Sequence, residues 1–245
     1  VGFLRPMVPI GVACALIMLQ PDFGTTAVIL ATVMGLLFLG GVSIINFAVL
    51  FLGVALALVS LIIFEPYRLT RVISFMDPFA DPFNSGYQLS QALIAFGRGE
   101  WFGVGLGNGI QKQFYLPEAH TDFIFAVLAE EFGLMGVFIV LGLFVLLVSR
   151  IMAIGARAHR EERPFAGNVA FGIALWLGLQ AMVSIGVNLG VLPTKGLTLP
   201  LISSGGSSVL MTFLALGIVF RIRYELDRDA ATTIKSRVGA RKMRL

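Results

Sequence analysis

Charge is what this sequence has least of. Only 13% of its 245 residues are Asp, Glu, Lys or Arg, about half the share of a soluble domain. That scarcity excludes a water-soluble globular protein. Cysteine is scarcer still. Cys14 stands alone in an apolar run, so no internal disulfide can form, and it reads as a packed small residue. Two histidines, His120 and His159, show no spacing characteristic of a zinc site. The opening VGFLRPMVPI has no initiator methionine and no charged leader ahead of a small-residue cleavage site. No signal peptide is visible there, and upstream sequence is expected.

Apolar residues fill the space that charge leaves. They make up 57% of the chain, and the mean hydropathy is +0.90. The class implied is an all-α polytopic membrane protein. Spanning helices need roughly 20 apolar residues, fewer where neighbours shelter them. Six stretches qualify: 7–20, 24–40, 44–64, 123–149, 166–190 and 206–222. The first two are joined by QPDFGT and read as a tight helical hairpin. The third holds no charge at all.

Lysine and arginine set the orientation. Arg150, Arg157, Arg160 and Arg163 crowd the connection 150–165, and eight basic residues against three acids follow Phe220. Both segments belong on the cytoplasmic side, with 223–245 as a basic tail suited to anionic lipid or acidic partners. The pI near 9.6 therefore reflects topology and gives no reason to invoke nucleic acid. The long connection 65–122 carries four basic residues and six acids and falls outside. So do QPDFGT and the turn 190–205. Three polar elements gather on the outer face, and a site is expected there.

The long connection exceeds what a linker needs. Its GYQLSQALIAFGRGE has apolar residues at helical spacing and predicts a surface amphipathic helix over 87–96. An irregular turn follows, with five glycines between 97 and 107. GVGLGNG superficially resembles a phosphate-cradling loop, but it follows no strand and lacks the GK[ST] ending. Close packing of backbone against neighbouring helices explains those glycines better.

The chemistry concentrates in YLPEAHTDFIFAVLAEEFG, residues 115–133. Pro117 can open a helix, and Thr121 or Asp122 can cap one. A cap at the lip of an apolar helix is also where a carboxylate stays ionised and can act as general base on a hydroxyl. Glu130 and Glu131 lie about two turns deeper. An aspartate at that depth costs roughly 2.5–3.5 kcal/mol on insertion scales, so such acids face a bundle interior or a cavity. One of the two is expected to pair structurally while the other lines a cavity; Asn168, Gln180 and Asn188 are the candidate partners. His120 with Glu118 and Asp122 could hold a divalent cation, against the plainer reading of a polar interfacial side chain. Lys195, in LPTKGLTLPLISSGG, either neutralises a phosphate or snorkels to the headgroups. Arg68, Arg71, Arg98 and Lys112 add cations to the outer loop, which suits an anionic, phosphate-bearing substrate arriving from the bilayer.

QPDFGT, GYQLSQALIAFGRGEWFGVGLG, LPEAHTDFIFAVLAEEFG and LPTKGLTLPLISSGGSS, in that order, together resemble the SEDS family (shape, elongation, division and sporulation). TKGLTLP is closer to its division branch than to its elongation branch. The resemblance implies a peptidoglycan glycosyltransferase that polymerises lipid II at the outer face of the bacterial inner membrane during division. It implies a class b penicillin-binding protein and other divisome membrane proteins as partners. The aspartate of the family's HTDF motif, here Asp122, is the implied catalytic base. Glu118, His120, Lys195, Arg98, Arg71, Lys112, Asp22, Glu130, Ser203, Gly205 and Gly206 are expected around it, binding substrate or supporting the base. Positive charge for the leaving lipid diphosphate is expected from Lys195, a loop arginine or a bound divalent cation, Mg or Mn. Two departures stand out. Family members usually have ten helices and this chain shows six, and the family's SYGGSS is SSGGSS here, with Ser204 in the tyrosine's place. The rival readings are a lipid II flippase, favoured by intramembrane acids, and a non-catalytic scaffold for the penicillin-binding protein.

Overall fold

The computed structural model describes residues 7–20, 22–64, 66–193 and 196–242, and every regular element among them is helical. The elements are α1 (Met7–Leu19), α2 (Phe23–Leu39), α3 (Ile44–Ile63), α4 (Pro66–Met76), α5 (Tyr87–Gly99), α6 (Ile124–Arg160), α7 (Pro164–Asn188) and α8 (Gly206–Lys242). A single π-helical turn, Gln111–Tyr115, interrupts the long connection. By length and composition α3, α6 and α7 can each cross a membrane, and α1 and α2 are shorter apolar helices.

The spine is the α6–α7 hairpin. Pro164 opens α7 at a position where its missing N–H is not needed. α5 packs on α6, α2 on α7, and α8 along both, while α1 and α3 attach through α2. The core lies where these meet. Ile151, Ala158, Ala170, Ala174, Leu177, Val219 and Leu226 join α6, α7 and α8 at one end. Ala92, Ala95, Leu116, Phe123, Ala126 and Val187 join α5, α6, α7 and the polar turn at the other. Alanines recur through both clusters, which lets helices approach closely where lipid supplies no hydrophobic drive between them. α3 buries no residue at all.

Three boundaries depart from the sequence reading. The surface helix runs to Gly99, beyond 96, and the long connection holds a further helix, α4. α6 continues past 149 to Arg160; its 37 residues span roughly 55 Å, well beyond a hydrocarbon core of about 30 Å. α8 likewise continues past 222 to Lys242. The charged extensions hold one another. Arg157 pairs with Glu161 and Asp227, and Arg163 pairs with Asp229 and lies 3.7 Å from Glu225.

Within α6 the backbone breaks at Gly133, where φ is 65° and ψ is −166°, a combination essentially reserved for glycine. The glycine-rich turn enters this gap. Val104 and Gly105 donate their N–H groups to the carbonyls of Glu130 and Glu131, at 3.0 and 3.1 Å. Leu134 and Met135 donate theirs to the carbonyls of Glu100 and Trp101, at 2.9 and 3.2 Å. Backbone groups orphaned by the break thus find partners, as a low-dielectric environment requires. A Cβ on Gly103 would stand 2.1 Å from the Glu131 carbonyl oxygen, and one on Gly133 2.4 Å from the Gly103 nitrogen.

The same segment is gripped by both glutamates, so neither lines an open cavity and neither pairs with Asn168, Gln180 or Asn188. Glu130, fully buried, accepts from the N–H groups of Ile110 (3.2 Å) and Gln111 (3.1 Å), with Arg98 at 3.6 Å. Glu131 accepts from Lys112 Nζ at 2.5 Å.

Gly133→Ala meets both backbone strain and a clash. It is expected to destabilise the fold by about 3 kcal/mol or more, read as a lower melting temperature in detergent. An unchanged melting temperature would show that the break tolerates a side chain.

Candidate functional site

Residues Pro117–Phe123 form a compact turn ahead of α6. Glu118 takes a positive φ of 55°, and its carbonyl accepts from the N–H groups of Thr121 and Phe123, both at 3.2 Å. Its carboxylate accepts from Thr121 Oγ1 at 2.6 Å. α6 starts only at Ile124, with Phe123 in the capping position, so neither Thr121 nor Asp122 caps it.

The turn is held from two sides. Asn188, fully buried at the end of α7, donates to the Asp122 carbonyl at 2.8 Å and the Ser184 carbonyl at 2.8 Å. Its Oδ1 accepts from Ala126 N at 3.0 Å, an N–H shared with the Phe123 carbonyl, also at 3.0 Å, in the first turn of α6. From α8's entry, Ser203 Oγ donates to the Thr121 carbonyl at 2.5 Å and accepts from Leu199 N at 2.7 Å. Ser204 donates twice to the His120 carbonyl, from N at 3.0 Å and from Oγ at 2.9 Å. Serine in the tyrosine's place therefore has a partner here. Gly205 follows; its carbonyl accepts from Val209 N at 2.9 Å, and Gly206 begins α8.

Every acid around this turn but one is spent on structure. Asp22 caps α2, accepting from Thr25 N at 2.9 Å and Thr25 Oγ1 at 2.5 Å. Glu118 holds Thr121, and the paired glutamates hold the loop. Asp122 alone of these keeps a half-buried carboxylate with no hydrogen bond among the described residues. Its Oδ2 lies against Gly196, where a Cβ would come within 2.9 Å. Burial is the largest influence on it and raises its pKa above the ordinary aspartate value; the charges of Glu118 and Asp22 add to the rise, and Arg71 opposes it. The carboxylate is thus a stronger base than a helix-capping aspartate.

Asp122, Asp22, Glu118, Arg71, Ser203 and Gly205 consequently belong to one neighbourhood. Arg98 and Lys112 point to the paired glutamates deeper in α6. His120 offers its carbonyl to Ser204, and its ring is on the exposed side. Lys195 lies outside the described residues. Among those described, no three His, Cys, Asp or Glu side chains cluster closely enough to hold a metal ion; Glu118, His120 and Asp122 form no such cluster. Sequence reasoning missed what Asn188 does. The available signal was an amide at the end of an otherwise apolar helix, and nothing local named its partner, 66 residues away.

A family model described as cell cycle protein, FTSW_RODA_SPOVE, matches residues 1–228. The chain belongs to that family. Relatives within the FtsW/RodA/SpoVE family include the probable peptidoglycan glycosyltransferase FtsW of Allochromatium vinosum, 61% identical over 227 residues. That match covers 93% of this chain and 57% of the relative. The protein of the same name from Coxiella burnetii is 58% identical, over 92% of this chain and 61% of its own. The chain thus spans about half to three-fifths of the length of the family relatives it matches. A solved peptidoglycan synthase complex, described as coordinating polymerization and crosslinking, contains a chain with TM-score 0.71 and 32% identity. The likeness covers 91% of this chain and 62% of that one. Rod shape determining protein RodA of Thermus thermophilus follows at TM-score 0.56 and 31% identity, over 87% and 53% of the two chains.

Two outcomes follow from the geometry. Because the folded-state pKa of Asp122 is raised, its penalty is absent below the unfolded pKa and is incurred as pH rises through the folded one. Asp122→Asn is therefore expected to melt higher than wild type at pH 8, with the gap closing towards pH 4; a gap constant across that range would contradict the raised pKa. Asn188→Ala removes three side-chain hydrogen bonds, to the Asp122 and Ser184 carbonyls and the Ala126 N–H, and is expected to cost about 2–4 kcal/mol, seen as a drop in melting temperature.

Proposed function

We propose that the protein is an inverting peptidoglycan glycosyltransferase that polymerises lipid II, a lipid-diphosphate-linked disaccharide, at the outer face of the bacterial inner membrane during cell division. The single observation that carries this reading is the carboxylate of Asp122. Its backbone is fixed by Asn188 and its neighbours' by Ser203 and Ser204, yet its oxygens are unspent. The glycosyltransferase activity for which the FtsW relatives are named supports the reaction class.

In this mechanism Asp122 takes the proton from the acceptor sugar's 4-hydroxyl. The oxygen attacks the anomeric carbon of the lipid-linked donor from the face opposite the leaving group. The bond from that carbon to the diphosphate oxygen breaks, and the lipid diphosphate departs with the electron pair. The proton then passes from Asp122 to water. Burial raises the basicity of Asp122, and the neighbouring charges of Asp22 and Glu118 favour its protonated form once the proton arrives. Arg71 supplies the opposite sign at the same turn and, with Lys195, is suited to the departing diphosphate. A class b penicillin-binding protein is the partner proposed to crosslink the product, in keeping with the synthase complex that the fold resembles. The C-terminus, with the Arg157 and Arg163 pairs, is assigned to the cytoplasmic side.

The test is glycan-chain synthesis from purified lipid II by the full-length protein with its penicillin-binding partner. Asp122→Asn and Asp122→Ala are expected to lower the rate by about 10²–10⁴-fold while the complex stays intact. Near-normal chains from both variants would remove Asp122 as the base and return the flippase and scaffold readings.

A further inference from the structure

Beside the Asp122 turn lies a polar cavity of about 370 Å³, and of its lining the reaction at Asp122 uses Arg71 alone. Arg71, Phe83, Asn84, Ser85, Tyr87 and Gln88 line it, and its volume is that of a small-ligand pocket. It abuts the start of the turn that carries Asp122. Pro117, the residue before Glu118, forms part of its wall, and Arg71 acts on Asp122 through its charge.

The wall is built before any ligand arrives. Asp81 accepts from Asn84 Nδ2 at 2.9 Å, Ser85 N at 3.3 Å and Ser85 Oγ at 3.2 Å. The Gly86 N–H closes the same loop on the Asp81 carbonyl at 3.1 Å. A Cβ on Gly86 would stand 2.1 Å from the Pro78 carbonyl oxygen, so this loop is packed tightly on itself. Tyr87 is fixed by donating its hydroxyl to the Tyr115 carbonyl at 2.6 Å. Two wall groups are left without structural work. Phe83 is 86% exposed, and Gln88 makes no side-chain hydrogen bond among the described residues. An aromatic face beside one unspent amide, Gln88, with the Asn84 amide and Ser85 hydroxyl held in place by Asp81, suits a ligand with one apolar face and a rim of hydroxyl and amide groups. A pyranose ring bearing an acylamino group has that pattern.

We propose that this cavity is a saccharide subsite, which holds an N-acylated sugar ring of the glycan beside the ring reacting at Asp122. Phe83 covers the ring's apolar face. Gln88 and the Asp81-organised Asn84 and Ser85 engage its hydroxyl and amide groups. The assignment rests on the glycosyltransferase reading for its choice of ligand. Held there, a chain keeps its end registered at the base between successive additions, with little ordering left to do on binding.

The experiment is saturation-transfer NMR on the full-length protein in detergent, titrated with a soluble β-1,4-linked tetrasaccharide of N-acetylglucosamine. Wild type is expected to bind, and Gln88→Ala and Phe83→Ala each to weaken binding about tenfold, the loss of one good polar or aromatic contact. Both side chains sit on the cavity wall, so melting temperatures are expected to match wild type and exclude misfolding. No binding by wild type, or equal binding by both variants, overturns the subsite. Because this readout does not need turnover, it separates the two readings. Binding lost in the variants while wild type makes no chains from lipid II would keep the subsite and reject the polymerase.

Discussion

Everything at the polar end depends on backbone exchanged between α6 and the segment 99–112. A helix broken inside a membrane protein leaves carbonyl and N–H groups that cost several kcal/mol each if unpaired. Here the break at Gly133 is filled from outside the helix, by Glu100, Trp101, Val104 and Gly105. The side chains of Glu130 and Glu131 then extend the same grip to Ile110, Gln111 and Lys112. Removing Glu130 would leave the N–H groups of Ile110 and Gln111 unpaired, and removing Glu131 would leave Lys112 without its acid, which is why acids occur at a depth where acids are expensive.

That anchoring fixes where the chain re-emerges. Gln111 begins the π-helical turn, and the Asp122 turn follows directly, already constrained at its start and then fastened by Asn188 and the two serines. The division of labour among acids follows from the same arrangement. Those whose oxygens are consumed hold the frame, and the one whose backbone is held keeps its oxygens free of hydrogen bonds among the described residues. Like charges from Asp22 and Glu118 sharpen it, because they make a proton on Asp122 less costly to accept.

Much of this could be read from the chain alone. Long runs without charge mark the helices, and the HTDF stretch marks the carboxylate. The glycines between 97 and 107 point to close backbone approach, which the contacts of Gly99 and Gly103 with α6 display. What escaped was long-range pairing. Within AEEFGLMGVF nothing distinguishes a broken helix from a continuous one, since a lone glycine is tolerated in either. Asn168, Gln180 and Asn188 were reasonable partners for the glutamates by polarity, but Gln180 instead holds the Thr198 carbonyl at 2.9 Å and Asn188 holds the turn. The extents of α6 and α8 were also hidden, because hydropathy measures the membrane and stops counting where the helix merely becomes charged.

α8 is one uninterrupted rod. Its first residue, Gly206, follows the serines that hold the Asp122 turn, and its Asp227 and Asp229 are tethered to the arginines at the far end of the α6–α7 hairpin. A helix rises about 1.5 Å per residue, so the separation between these two moorings is set by residue count. The helix is therefore a ruler. One residue inserted or deleted between Gly206 and Asp227 would rotate the acids by about 100° around the axis and shift them along it, forcing a choice between the arginine tethers and the serine clasp. Length in this segment is thus under a constraint that its undistinguished apolar composition would never reveal.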